Sequence, residues 1–293
     1  SGISTPQNSN ATYSAGCDFY TNLGGSTPVP ATQEITSFTS TGADTFTSDP
    51  TAASYNVLIV AGGGGGGSGT QNPPGGNHSA GGGGGAGGLM YIPGYTVSSS
   101  TSYSIAVGAG GSGGEGGSGY VQAGKGGNSE FNEIIAYGGG AGKDRSPTTC
   151  NAGGSGGGGA GNFPGDSTSS GAPSTQAPQT PSPLQSYAFG NAGGDGSTSS
   201  PTNSAGGGGG AGGGGQDASV PSGGNGGSGK SYTIADGSSP VFYAGGGGGG
   251  TYTGAAGGSG GSGGGGDAGG IPGNQAGQSG STNTGGGGGG ASS

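Results

Sequence analysis

Residues 54–67 read SYNVLIVAGGGGGG, an apolar stretch from Val57 to Val60 that runs into six consecutive glycines. Glycine runs of the same kind recur at 81–85, 206–210, 245–250 and 285–290. Glycine loses more backbone entropy on folding than any other residue, so runs this dense favour disorder unless something holds them. The spacing of the other residues supplies that something. Ser112, Glu115 and Ser118 fall three apart, as do Ser222, Asn225, Ser228 and Ser231, and again Ala256, Ser259 and Ser262. Ala80, Ala86 and Leu89 keep the same phase across residues 81–88. A flexible linker has no reason to hold a phase.

A period of three is that of the polyproline II geometry, with about 3.1 Å rise per residue and no internal hydrogen bonds. Polyglycine adopts it too. Such helices expose every N–H and C=O, so bundling satisfies these groups between segments. Without Cβ atoms the backbones approach closely, and Cα–H···O contacts of about 0.5–1 kcal/mol each become numerous. Side chains are then tolerated only on an outward edge, every third position. About ten glycine-rich segments of comparable length are present. The expected fold is therefore irregular, with almost no α-helix: a bundle, or sandwich, of packed polyglycine II helices with a few short β-strands and hairpins.

Composition supports this by exclusion. Glycine supplies 91 of 293 residues, a fraction that suggests collagen, but six adjacent glycines break the Gly-X-Y register. Charged residues are only 6% of the chain, which argues against charge-dispersed disorder. A net charge of −9 with only Lys125, Lys143, Arg145 and Lys230 as basic residues argues against nucleic acid as a partner. No apolar run is long enough for membrane insertion as a helix. Cys17 and Cys150 are the only cysteines, and their spacing leaves pairing open. The chain begins at Ser1, as a processed product or a piece of a longer chain would.

Residues 1–30 are polar and read as a linker or the end of a preceding module, with residues 31–293 as the glycine-rich domain. Residues 31–60 alternate β-branched and aromatic residues around turn signals, which predicts two or three anchoring strands. Between the glycine runs, segments 89–107, 120–137 and 231–243 read as hairpins. The other connectors are polar: 70–79, 143–151, 162–187, 195–204, 216–222, 251–253 and 271–284. If the runs are antiparallel, hairpins gather at one end and polar loops at the other.

Catalysis finds little to use. His78 is the only histidine, without a partner at the spacing that a base or metal ligand needs. GxGxxG patterns arise from composition alone. Residues 224–231, GNGGSGKS, satisfy the phosphate-loop pattern, but a strand-like segment follows where that motif needs a helix. No enzyme activity, metal or cofactor is expected. Polar loops with aromatic residues suit carbohydrate and protein recognition, because rigid rings give contact area at low entropy cost. The candidates are Asn72, His78, Arg145, Phe163, Tyr187, Phe189 and Tyr252. The same residues also suit loops that merely cover the ends of the helices.

The order VLIVAGGGGGG, GGGGGAGGLMYIPGYTVSSSTSYSIAVGAGG, GGNSEFNEIIAYGGGAG, SPVFYAGGGGGG and TNTGGGGGG resembles the glycine-rich domains of bacteriophage tail-fibre proteins. Related tail-fibre-tip adhesins are sandwiches of polyglycine II helices whose loops bind the host surface. The resemblance implies a non-enzymatic fibre or fibre-tip adhesin in the virion or outside the cell. Its partners would be a host cell-surface glycan or outer-membrane protein and other fibre subunits, in a homo-oligomer. The alternatives are a structural role, as virion decoration or an extracellular filament subunit, and ice binding.

Overall fold

The computed structural model describes residues 17–21, 34–69, 79–114, 121–144, 151–161, 169–176, 187–198, 203–252, 255–270 and 275–293. Among these there is no helix of the α type, and eleven short strands accompany the glycine runs. The fold is a bundle of polyglycine II helices capped at one end by small antiparallel sheets.

The sheets follow from the one continuous apolar strand. A five-stranded sheet has the order β2 (Glu34–Ser37), β1 (Cys17–Thr21), β4 (Ser54–Val60), β5 (Leu89–Thr96), β9 (Tyr187–Phe189). A four-stranded sheet has the order β3 (Gly42–Thr47), β6 (Ser102–Val107), β7 (Ser129–Phe131), β8 (Ile134–Ala136). The hairpin of β10 (Lys230–Tyr232) and β11 (Val241–Tyr243) forms a third layer. Val57 and Ile59 pack with Met90 and Ile92 against Phe46, Ile105 and Phe131 of the four-stranded sheet. Leu58 and Val60, on the opposite face, pack with Leu89 against Ile234 and Tyr243. Because β4 is covered on both faces, its sequence is a run of apolar residues rather than an alternation.

Three expectations need correction. Segment 89–107 is not a hairpin: β5 pairs with β4, whereas β6 pairs with β3 in the other sheet. The turn signals at Gly94 and 98–101 carry the chain between two layers rather than back on itself. Strands are also not confined to 31–60 and the three connectors. Cys17–Thr21 pairs with both β2 and β4, and Tyr187–Phe189 adds to the edge at β5. Segment 162–187 is not a single loop, because residues 169–176 pass back through the bundle, with the Ala172 amide donating to Gly157 and its carbonyl accepting from Gly193.

The runs hydrogen-bond with the period of three that the sequence announces. The amides of Ala61, Gly64 and Gly67 donate to Gly88, Gly85 and Gly82 at 3.0, 2.8 and 2.8 Å. Those of Gly62 and Gly65 donate to Gly127 and Gly124. Segment 81–88 is the centre of the lattice. Its amides donate to segments 285–291, 137–143 and 206–209, and its carbonyls accept from 61–67, 155–158 and 247–250. It is thus bonded on all six sides, as in hexagonal packing.

Side chains follow the same rule, with one correction. Ser112, Asn225, Ser228, Ser231, Ala256, Ser259 and Ser262 are exposed, and Ser222 is half-buried. Glu115 and Ser118 lie outside the described residues. Ala80, Ala86 and Leu89 share the phase but are fully buried. Ala86 and Leu89 sit where the central helix meets the apolar layer of Leu58, Val60 and Tyr243, so their methyls find a core rather than water.

Candidate functional site

Successive runs alternate in direction, and this sorts the connectors. At one end lie the sheets. At the other, Gly67 donates to Gly82, Gly82 to Lys143 and Gly81 to Ala291, while Ala80 bridges Gly161. Ser204 bridges Thr251, Gln275 bridges Ser292, and the Ser293 amide donates to Thr251. These residues flank segments 70–78, 145–150, 162–168, 199–202, 253–254 and 271–274. The flanks of all six segments therefore lie at one end, and the segments themselves lie outside the described residues. The Pro-rich 177–186 is the exception. Its flanks, Gln176, whose side chain accepts from the Tyr137 amide, and β9, are at the sheet end, and 177–186 itself lies outside the described residues.

Asn72, His78, Arg145 and Phe163 lie outside the described residues, but the anchors of all four belong to the loop end. So does half-buried Tyr252, whose amide donates to the Asn203 carbonyl at 2.9 Å. Tyr187 and Phe189 do not join them. They form β9 at the sheet end, where the Lys230 ammonium stands 4.1 Å from the centre of the Phe189 ring. The run YAF reads as a loop aromatic pair because it is short and follows prolines. Only its pairing with Leu89–Tyr91 makes it a strand.

Asp144 is the residue that sequence reading missed at this end. It is 1% exposed, and its carboxylate accepts from the amides of Ser68 and Ala123. It thereby ties the ends of two runs to the start of segment 145–150. Hydrogen bonds to a carboxylate contribute about 1.5–3 kcal/mol, more than neutral ones. The one signal in the sequence is an acid placed where a glycine run stops, which composition alone does not distinguish from a solubilising charge.

Residues 39–293 match the family described as a glycine-rich domain. The chain belongs to the glycine-rich domain family. Comparison with curated proteins and with solved structures finds no match.

In this glycine-rich domain the phosphate-loop pattern at 224–231 has no phosphate-loop geometry. Residues 223–229 are a polyglycine II helix on the bundle's exterior, the Gly224 amide donates to Ala205 and that of Gly227 to Gly208, and Lys230 begins a strand. The motif needs free amides ahead of a helix N-terminus. Here the amides are spent on neighbouring runs. At the sheet end the Tyr91 and Tyr232 rings lie 4.8 Å apart, tilted by 34° to each other. Burial, with the Tyr91 neighbour second, pushes the Tyr232 hydroxyl up to about 12, so it stays protonated at neutral pH. Among the described residues no cluster of His, Cys, Asp and Glu has the geometry to hold a metal ion.

Proposed function

We propose that the domain is a non-enzymatic adhesin of a phage tail fibre or fibre tip, in which the polyglycine II bundle presents its polar connectors to a host cell-surface glycan or protein. The observation that carries this reading is the alternation of runs, which places the flanks of six polar connectors at one end of a lattice bonded throughout by backbone. Binding surfaces are disproportionately built from loops on rigid scaffolds, because the scaffold bears the ordering cost. Four of the seven candidate residues, Asn72, His78, Arg145 and Phe163, belong by sequence to those connectors, and Tyr252 immediately precedes segment 253–254. Tyr187 and Phe189 are assigned to the sheet end and drop out of the recognition surface.

The test replaces segments 70–78, 145–150 and 162–168 with glycine–serine linkers of equal length and measures adsorption to host cells and a glycan array. Loss of binding with an unchanged thermal melt supports the adhesin. Retained binding overturns it.

A further inference from the structure

One side of the bundle departs from the lattice. Segment 62–67 has neighbours on five sides: 81–88, 124–127 and, through its carbonyls, 138–142, 108–114 and 285–291. On the sixth side lies a cleft of about 350 Å³. Its walls are residues 62–66, 108–113, 277–281 and 285–289, and Thr39, Thr41 and Val107 close it at the sheet end.

The groups facing this cleft have the register of a lattice position. Within segment 62–67, the amides of Gly62 and Gly65 serve one neighbour and those of Gly64 and Gly67 another. The third set is Gly63 and Gly66. Both residues are buried, and among the described residues neither amide has an acceptor. On the adjoining wall the carbonyls of Gly286 and Gly289 have no N–H donor among the described residues.

The lattice shows what those carbonyls lack. The Gly84 carbonyl takes one N–H from Gly247, flanked by the Cα–H groups of Gly208 and Gly287, which belong to the helices on either side. The Gly246 carbonyl repeats this, with the Gly261 amide between Gly226 and Gly265. The Gly286 carbonyl already has the two flanking Cα–H groups, from Gly63 and Gly280, and the Gly289 carbonyl has those of Gly66 and Gly277. Only the central N–H is missing at each. The two donors and the two acceptors both repeat every third residue, about 9 Å along a polyglycine II axis.

We propose that this cleft binds one further polyglycine II strand, a Gly-Gly-X segment supplied by another polypeptide. Its carbonyls accept from Gly63 and Gly66, and its amides donate to Gly286 and Gly289. On three walls, at Gly63, Gly66, Gly277, Gly280, Gly286 and Gly289, the helices stand at lattice spacing, where an added Cβ overlaps a neighbouring backbone, whereas Gly110 and Gly113 on the fourth wall face open space. Two sides face solvent and admit a side chain at every third residue. That pattern selects Gly-Gly-X over a general extended peptide. The cleft is a joint through which another polypeptide is added by backbone pairing, distinct from the loop end.

The test is amide hydrogen exchange of the isotope-labelled full chain with a (Gly-Gly-Ser) repeat peptide at millimolar concentration. Exchange at Gly63 and Gly66 slows at least tenfold, while an (Ala-Ala-Ser) peptide of equal length leaves both rates unchanged. Gly113→Val blocks the effect: Gly113 lines the cleft and an added Cβ there meets nothing within 4 Å, so the variant melts as the parent does. Gly110→Val serves the same purpose should Gly113→Val fail to fold. Slowing that depends on protein concentration without peptide identifies the strand as another copy's and supports the same site. No slowing with the glycine peptide, or equal slowing with the alanine peptide, overturns the proposal.

Discussion

At Gly247 a single hydrogen atom separates a stable lattice from a steric clash. It lies in the buried run 245–250, its amide donates to Gly84 at 2.9 Å, and a Cβ added there would overlap the carbonyl of Gly288. The obstructing atoms are backbone, and Gly288 is itself bonded to Gly64, so relief at one position disturbs a third helix. Gly247→Val is expected to destabilise by about 3 kcal/mol or more, in the upper range for single substitutions. Gly113 has the same residue type with nothing within 4 Å of an added Cβ. Gly113→Ala is expected to leave stability unchanged or raise it by about 0.5 kcal/mol, through reduced entropy of the unfolded chain. Thermal melts of the two variants check this, and equal losses would mean that the layers are not arranged as described. Gly285 shows a second use of the residue. It turns the chain out of the sheet end at φ 70°, where a Cβ would also strike the Val60 side chain.

At the scale of elements, the strand β4 and the run that continues it do different work in one straight segment. Val57 and Ile59 fill one apolar layer and Leu58 and Val60 the other, all fully buried. The expected consequence is symmetry: Leu58→Ala and Ile59→Ala each cost about 2–5 kcal/mol, the range for large-to-small changes in a core. Chemical denaturation of the two variants measures it. A loss confined to one of them would show that one face of the strand tolerates water. Segment 124–127 and its return at 138–142 show how short a polyglycine helix can be. Each is a turn or two, too short to persist alone, and each is held by neighbours: Gly126 donates to Gly139, and Gly139 donates to Gly62. The four-residue pass at 151–154 is likewise fixed from outside, through Gly154 donating to Gly138.

For the whole molecule, the lattice predicts a gradient of protection. Segment 81–88 is bonded on all six sides, whereas 108–114 lies at the edge, with Ala109, Gly110, Ser112 and Gly113 exposed. Opening the central segment breaks bonds to six others, so its exchange requires opening close to global unfolding. Hydrogen exchange should therefore find the amides of Gly81 to Gly88 last and those of Gly110 and Gly113 first. A flat profile would show that the runs open independently. The same lattice explains how a chain with an apolar fraction of 25% holds a defined fold. Its cohesion comes from backbone hydrogen bonds and Cα–H···O contacts repeated in register, supplemented by two apolar layers at one end.

The sequence by itself determined the helix type, because only a three-residue period explains substituents such as Asn225, Ser228 and Ser231 on one exposed edge. It also marked the apolar run 57–60 as a strand leading into the first glycine run. The tertiary structure alone decided which runs are neighbours, because a glycine run carries no side chain to specify its partner. It also decided that 89–107 spans two sheets, that Tyr187 and Phe189 form an edge strand away from the loops, and that Asp144 joins two runs. The open side of segment 62–67 belongs to the same class. Gly63 and Gly66 are identical in sequence to their bonded neighbours, and only the packing of other helices leaves their amides facing a cleft.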